Sequence, residues 1–103
     1  MKLREIAHSR TGDKGNTANI SVIARDTKKH PALVKYLTSE RVKEHFSEIV
    51  EGKVVRYELP NIGALNFVLY DALSGGVTRT LAMDLHGKSL CMALMNMEIP
   101  DNF

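Results

Sequence analysis

Two hydrophobic periodicities alternate along this chain, and together they limit it to a mixed α+β fold. Apolar residues recur at every second position in residues 18–25 and 54–59, as strands require. In the region between them, residues 30–52, apolar residues recur at roughly helical spacing, with Pro31 in the first turn. The hydroxyl of Thr38 leaves open whether this region is one helix or two.

The clearest strand pattern lies in residues 54–59. Val55, Tyr57 and Leu59 lie on one side of this segment, and two charged residues lie on the other side. This alternation predicts a half-buried strand with one apolar and one charged face. Pro60 ends the strand because proline cannot donate a ladder hydrogen bond.

Three further segments complete the predicted order of elements. Residues 2–8 are predicted as a short first strand and residues 77–85 as a later one. Residues 89–97 fit a helix capped by Ser89 or a fully buried strand, and their length favours the helix. This order predicts a two-layer α+β sandwich with helices on one face of a small sheet. The 103 residues suit one domain with a modest core, so association with a partner is expected.

Residues 62–73 form a strongly apolar segment of the chain. Placed on a helix, its apolar residues would occupy almost the whole circumference. This predicts a helix buried between layers or at an interface, with Asn61 as its N-cap. Asn66 would lie inside this helix, where an unsatisfied amide would cost about 1–3 kcal/mol. Asn66 and Arg79 are therefore expected to bond either the protein or a ligand. A partner would dock on this helix or on the open face of the sheet.

Composition excludes several classes of function. The formal charge of +2 is too small, and its charges too interspersed, to indicate binding to nucleic acid or a membrane surface. Cys91 is the single cysteine, so neither an intramolecular disulfide nor a cysteine-based zinc site is predicted. No two histidines have metal-pair spacing, and no cofactor is predicted. A signal peptide and a bilayer-spanning run are both missing from the sequence, so a cytoplasmic protein is expected.

A polar segment, residues 8–21, lies between two apolar runs and reads HSRTGDKGNTANIS. Its glycines permit positive φ, so successive backbone N–H groups would form an anion-binding concavity. Hydroxyls at Ser9, Thr11 and Thr17 would add contacts. The alternative is a β-hairpin loop in which Gly-Asp-Lys-Gly is turn chemistry alone. The candidate ligand contacts are Gly12, Asp13, Lys14, Gly15, Asn16 and Asn19.

Three residues of this segment are candidates for catalysis. The neutral imidazole of His8 or the carboxylate of Asp13 would act as a general base. Lys14, together with backbone N–H groups, would stabilise an enolate-like oxyanion. Local spacing fixes no catalytic pair, so an ordinary histidine at the end of a strand stays the alternative for His8.

Three motifs in one order carry a family resemblance: SRTGDKGNTANISVIAR, PNIGALNFVLYDALSGGVTRTL and DLHGKSLCMALMNMEI. They resemble the small C-terminal domain of the acyclic terpene utilisation (AtuA-like) family, from the first predicted strand to Ile99. The resemblance implies a ferredoxin-like fold. The matching motif positions are Gly12, Asp13, Lys14, Gly15, Asn16, Asn19, Asn61, Asn66, Gly76 and Arg79.

The resemblance implies that the protein acts in the catabolism of branched terpenoid acids, as their coenzyme A thioesters. In the family this domain is fused behind a larger domain or forms a short separate protein, and this chain looks like the separate form. No catalytic residue is carried over from the family.

The leading hypothesis is an accessory subunit of a larger AtuA-like protein. The apolar helix and the methionine-rich C-terminal segment would bind this partner, and the polar segment with Asn61 and Arg79 would complete a site at the junction. The first alternative is a self-contained homo-oligomeric hydratase or isomerase that acts on acyl thioesters, with Asp13 or His8 as base. The second alternative is a binding module for acyl-CoA-type ligands without turnover.

Overall fold

A computed structural model of the chain describes residues 1–14, 17–47, 50, 52–71, 88–101 and 103. Its strands form one four-stranded antiparallel sheet. They are β1 (Ala7–Lys14), β2 (Thr17–Ala24), β3 (Val54–Leu59) and β4 (Ala64–Leu69). Their order across the sheet is β1-β2-β4-β3, so β2 and β4 are the central strands.

Within the described residues, the α-helices are α1 (His30–Tyr36), α2 (Ser39–His45) and α3 (Lys88–Met95). Apolar side chains from all three join the buried residues of the sheet in one hydrophobic core. The helical region of the sequence therefore forms two helices, and the Thr38 hydroxyl accepts a hydrogen bond from the Arg41 N–H at the start of α2. This arrangement confirms the predicted α+β fold with helices packed on the sheet.

The alternation of β2 shows which face of the sheet the helices cover. Ala18, Ile20 and Val22 are fully or almost fully buried in the core. Asn19 and Ser21 point to the opposite face, because successive side chains of a strand alternate between faces. Paired residues of β1 and β4 project from the same face as their β2 partners, so the pairing register assigns the face of each residue in these strands.

The prediction of a helix over residues 62–73 is wrong. Ala64–Leu69 is the central strand β4, paired with β2 on one side and β3 on the other. A strand buried in the middle of a sheet can be apolar at nearly every position, which imitates a helix that is apolar all round. Asn61 lies exposed in the 3-10 turn Pro60–Ile62 and does not cap a helix.

The first predicted strand is also misplaced. Leu3–Glu5 is a 3-10 turn, and β1 occupies Ala7–Lys14, which includes the first half of the polar segment. The pairing with β2 continues to Lys14 and Thr17. Polar residues and Gly12 are tolerated there because the partner strand satisfies the backbone and only one face of β1 meets the helices.

Two polar side chains connect α1 to the sheet. Arg56 Nη1 donates hydrogen bonds to the carbonyl oxygens of Val34, at 2.6 Å, and Leu37, at 3.0 Å. The buried His30 lies with its Nε2 3.1 Å from the carbonyl oxygen of Ala64. The carbonyl groups at the end of α1 have no partner within the helix, and Arg56 supplies one. The charged face of β3 is therefore turned to the helices.

The remaining sequence predictions have mixed outcomes. The helical interpretation of residues 89–97 is confirmed by α3. Ser89 lies within that helix and so is not its cap. The predicted strand over residues 77–85 lies outside the described residues. Within the described ranges, none of the helices combines the length and the hydropathy needed to cross a bilayer.

The first residue is bound to the end of the described chain. The Met1 amino group donates a hydrogen bond to the Asp101 carboxylate and lies 3.5 Å from a Glu98 carboxylate oxygen. The hydrogen bond with Asp101 raises the pKa of the Met1 amino group and lowers the pKa of Asp101. The pKa of Glu98 is lowered mainly by its hydrogen bond with Lys2.

We therefore expect this connection to weaken at both ends of the pH range. The carboxylates contribute above their ordinary pKa, and their contribution disappears as pH falls through the lowered values of Glu98 and Asp101. The amine contributes fully below its ordinary pKa of 8.0 and loses its contribution as pH rises through the raised value. Carbon-detected NMR titration of both carboxyl groups measures this directly. An ordinary carboxyl pKa at both positions would contradict it.

Replacing Arg56 tests its role at the end of α1. We expect Arg56→Leu to lower the free energy of unfolding by about 1.5–3 kcal/mol, because two carbonyl groups lose a charged donor. Urea denaturation measures the change. Glu58→Gln is the control, since it removes only the partly exposed ion pair at 3.3 Å and should cost less than about 1 kcal/mol. Equal losses in the two variants would contradict the assignment.

Candidate functional site

The face of the sheet opposite the helices, here called the open face, collects several of the residues proposed from sequence. His8 pairs with Ile23, Gly12 with Asn19, and Ser21 with Asn66, and all of these positions alternate with the buried residues of β2. The proposed residues on the open face include His8, Gly12, Asn19 and Asn66. Among the described residues, the core contributions of every helix lie on the other face.

A polar row crosses the middle of the open face. The register aligns Arg10 with Ser21, Ser21 with Asn66, and Asn66 with Tyr57. Ser21 Oγ donates a hydrogen bond to Asn66 Oδ1 at 3.2 Å. The expectation that Asn66 has a partner is therefore correct, and the partner is a neighbouring strand. The side-chain amide of Asn66 retains two N–H donors for a further contact at the surface.

Gly12 serves a purpose different from the one expected. It lies in β1 without positive φ, and its N–H donates to Asn19 Oδ1 at 3.0 Å. A Cβ atom at this position would lie 2.8 Å from the same oxygen. The absence of a side chain at Gly12 therefore leaves room for the Asn19 side chain to lie across β1. The positive φ that an anion-binding concavity would require is not found at Gly12.

Two of the proposed hydroxyls support the fold. The Thr11 Oγ1 atom accepts a hydrogen bond from the Cys91 N–H at 3.1 Å, and Ser9 Oγ donates to the Cys91 carbonyl oxygen at 3.4 Å. Both side chains alternate with the open-face residues of β1 and so point to the helices. They fix α3 against β1. Thr17 is half-buried at the far end of the hairpin.

A cleft of about 290 Å³ lies between β1 and α3. His8 borders it, together with Arg4, Arg25, Cys91 and Met92. Arg25 directly follows Ala24, which pairs with Ala7 at the end of the hairpin. The backbone N–H of Arg25 donates a hydrogen bond to the Ile6 carbonyl oxygen, and this places Arg25 beside the cleft. Neither arginine was indicated by the sequence alone, and the register of β1 is the signal that would have brought them together.

The two candidate bases are far apart. His8 and Asp13 lie five residues apart in the same strand, which separates their backbones by roughly 17 Å. Asn61 lies at the end of the sheet nearer His8, because its turn joins β3 to β4 beside Ala64. Lys14 pairs with Thr17 at the opposite end of the sheet. Gly15, Asn16, Gly76 and Arg79 lie outside the described residues.

The structure offers little for metal chemistry in the part that it describes. Within those ranges no group of three or more histidine, cysteine or acidic side chains is close enough to hold a metal ion. The chemistry available at the cleft is the binding of an anion, because arginine side chains form charge-assisted hydrogen bonds with oxyanions.

Comparison with known proteins identifies a family. The family model described as the AtuA ferredoxin-like domain matches residues 1–100. No curated protein and no solved structure showed significant similarity to the chain. The family match confirms the resemblance carried by the three sequence motifs and the ferredoxin-like character of the fold.

A double-mutant cycle tests the contact between Gly12 and Asn19. We expect Gly12→Ala to destabilise the chain by about 0.5–1.5 kcal/mol, because the new Cβ displaces the exposed Asn19 side chain and its hydrogen bond with the Gly12 N–H is lost. In an Asn19→Ala background the same change should be neutral or stabilising by up to about 1 kcal/mol, since alanine restricts the unfolded chain. Urea denaturation measures all four proteins.

Gly63→Ala is the matched control. Gly63 has a φ of 63°, so alanine is strained there whatever occupies position 19. Its cost should be the same in both backgrounds, because the site shares no partner with Asn19. If Gly12→Ala also lowers the free energy of unfolding equally in both backgrounds, then Gly12 does not serve to leave room for the Asn19 side chain.

Proposed function

Because the chain belongs to the family of AtuA ferredoxin-like domains, we propose that it is an accessory subunit that docks on a larger AtuA-like protein. The pair would act in the catabolism of branched terpenoid acids or acyl-CoA-type compounds. The docking surface is the open face of the sheet. The predicted docking helix does not exist as such, since its residues form the central strand β4.

The observation that carries this proposal is a group of exposed apolar side chains, here called the β3 patch: Tyr57, Leu59 and Ile62. Their exposed fractions are 50%, 39% and 59%. Tyr57 and Leu59 lie on the open face of β3, and Ile62 lies in the turn that follows. Apolar side chains grouped at the edge of a polar row are typical of a protein–protein interface.

The size of the open face indicates how much of it a partner has to cover. Four strands about 4.8 Å apart and about six residues long span a flat area of roughly 400 Å². Specific interfaces bury at least about 500 Å² on each partner. A partner therefore has to cover the whole face together with the turn Pro60–Ile62. It would also meet the Asn66 amide in the centre of the face and the Arg10 side chain on β1.

A binding experiment with a charge substitution tests the proposal. The larger AtuA-like protein from the same source is titrated with the chain by isothermal calorimetry. Tyr57→Glu should weaken binding by about 10–100-fold, since it places a charge at the centre of an apolar contact. Tyr57 is half exposed, so the variant should fold normally.

Lys43→Glu is the matched control because Lys43 is an exposed residue of α2, on the helix side of the sheet and away from the open face. It should bind the partner like the unmodified chain. Equal affinity of the Tyr57→Glu variant would refute this docking surface. Turnover of an acyl thioester by the isolated chain would instead support the self-contained enzyme, with His8 as the base to replace first.

A further inference from the structure

The cleft between β1 and α3 has an uneven distribution of charge. Arg4, His8 and Arg25 lie on its border, and none of its described lining residues is acidic. The two nearest acidic residues along the chain already have other contacts. Glu5 accepts a hydrogen bond from the Lys2 N–H at 2.8 Å, and Asp26 accepts one from the Lys28 N–H at 3.0 Å.

The two guanidinium groups keep most of their donors. Arg4 Nη1 donates to Asn96 Oδ1, and Arg25 Nε donates to the Arg4 carbonyl oxygen at 3.2 Å. Each guanidinium carries five N–H donors, so several remain on each side chain. The bond from Arg25 to the backbone of Arg4 also holds the two residues next to each other. Neither arginine forms a salt bridge with a carboxylate of the described residues.

The wall formed by α3 is apolar. Met92 has an exposed fraction of 64%, and Met95 lies one helical turn away beside the same cleft. Methionine side chains are flexible and polarisable, and they adapt to apolar groups of varied shape. The cleft volume of about 290 Å³ corresponds to about ten water molecules, so it fits a small ligand.

We propose that this cleft binds a small organic anion whose oxyanion head contacts Arg4 and Arg25 and whose short apolar tail lies along Met92 and Met95. The shared chemistry is a carboxylate or phosphate on a chain of a few carbons. This site goes beyond the proposed docking function, because the β3 patch lies on the opposite edge strand of the described sheet. Neither proposal requires the other.

Methyl NMR of the full chain with four matched probes tests the site. Hexanoate, hexyl phosphate, hexylamine and hexanol are each titrated at constant ionic strength. At least one of the two anions should cause saturable shifts of the Met92 and Met95 methyl signals, and hexylamine should cause none. Saturation by hexanoate alone indicates a carboxylate ligand, and saturation by hexyl phosphate alone indicates a phosphate ligand.

Variants separate the charge from the fold. Replacing both arginines, Arg4→Gln with Arg25→Gln, should weaken binding of the anion at least about tenfold, because charge-assisted hydrogen bonds are lost. Arg41→Gln is the control, since it removes a guanidinium that packs on Tyr36 away from the cleft. Met92→Glu should abolish binding by placing a carboxylate in the cleft, and its exposed position keeps this test valid if the double variant does not fold.

The proposal is overturned if neither anion saturates, if hexylamine or hexanol binds as well as the anions, or if Arg41→Gln weakens binding as much as the double variant. Tyr57→Glu should leave anion binding unchanged. A failure of the docking proposal is therefore distinguishable from a failure of the cleft.

Discussion

The pairing register of β2 determines the surface chemistry of the described sheet. Because Ile20 and Val22 are completely buried against the helices, the intervening Asn19 and Ser21 have to face the other way. Paired residues face the same side of the sheet, so the pairing with β2 determines which side each residue of β1 and β4 faces. The pairing with β4 determines the same for β3. A shift of one residue would bring polar groups into the core, so burial on one face holds the register in place.

The same register explains why Arg56 belongs on the inner side of a strand. Its position in β3 pairs with the fully buried Phe67 of β4. A charged side chain is stable there because its guanidinium reaches the end of α1 and meets two carbonyl oxygens. The outward positions of β3 are then left to Tyr57 and Leu59. Because Arg56 faces the helices to bond the end of α1, Tyr57 and Leu59 face away from them and form the exposed β3 patch.

Local periodicity was sufficient for part of this structure and not for the rest. The predictions for β2, β3 and the helical region of residues 30–52 were accurate, because each of these segments fits a single hydrophobic period. Residues 89–97 fit two periods, and only their length favoured the helix. β4 was missed because burial on both sides removes the alternation. β1 was missed because its polar residues and Gly12 resemble a loop until the partner strand is known.

The candidate site depended on register even more strongly. Asn66 was recognised as an amide that requires a partner, but Ser21 lies 45 residues away in the sequence and could be found only from strand pairing. The cleft arginines, Arg4 and Arg25, come together for the same reason. The sequence alone could not show which of the polar side chains share a surface.

The two proposed binding surfaces meet at one residue. The β3 patch and the arginine pair have no residue in common, and the central strands β2 and β4 lie between them. His8 belongs to both regions, because its register position is on the open face and its side chain also borders the cleft. A partner that extends to His8 would cover the edge of the cleft, so ligand and partner would then influence each other through this exposed side chain.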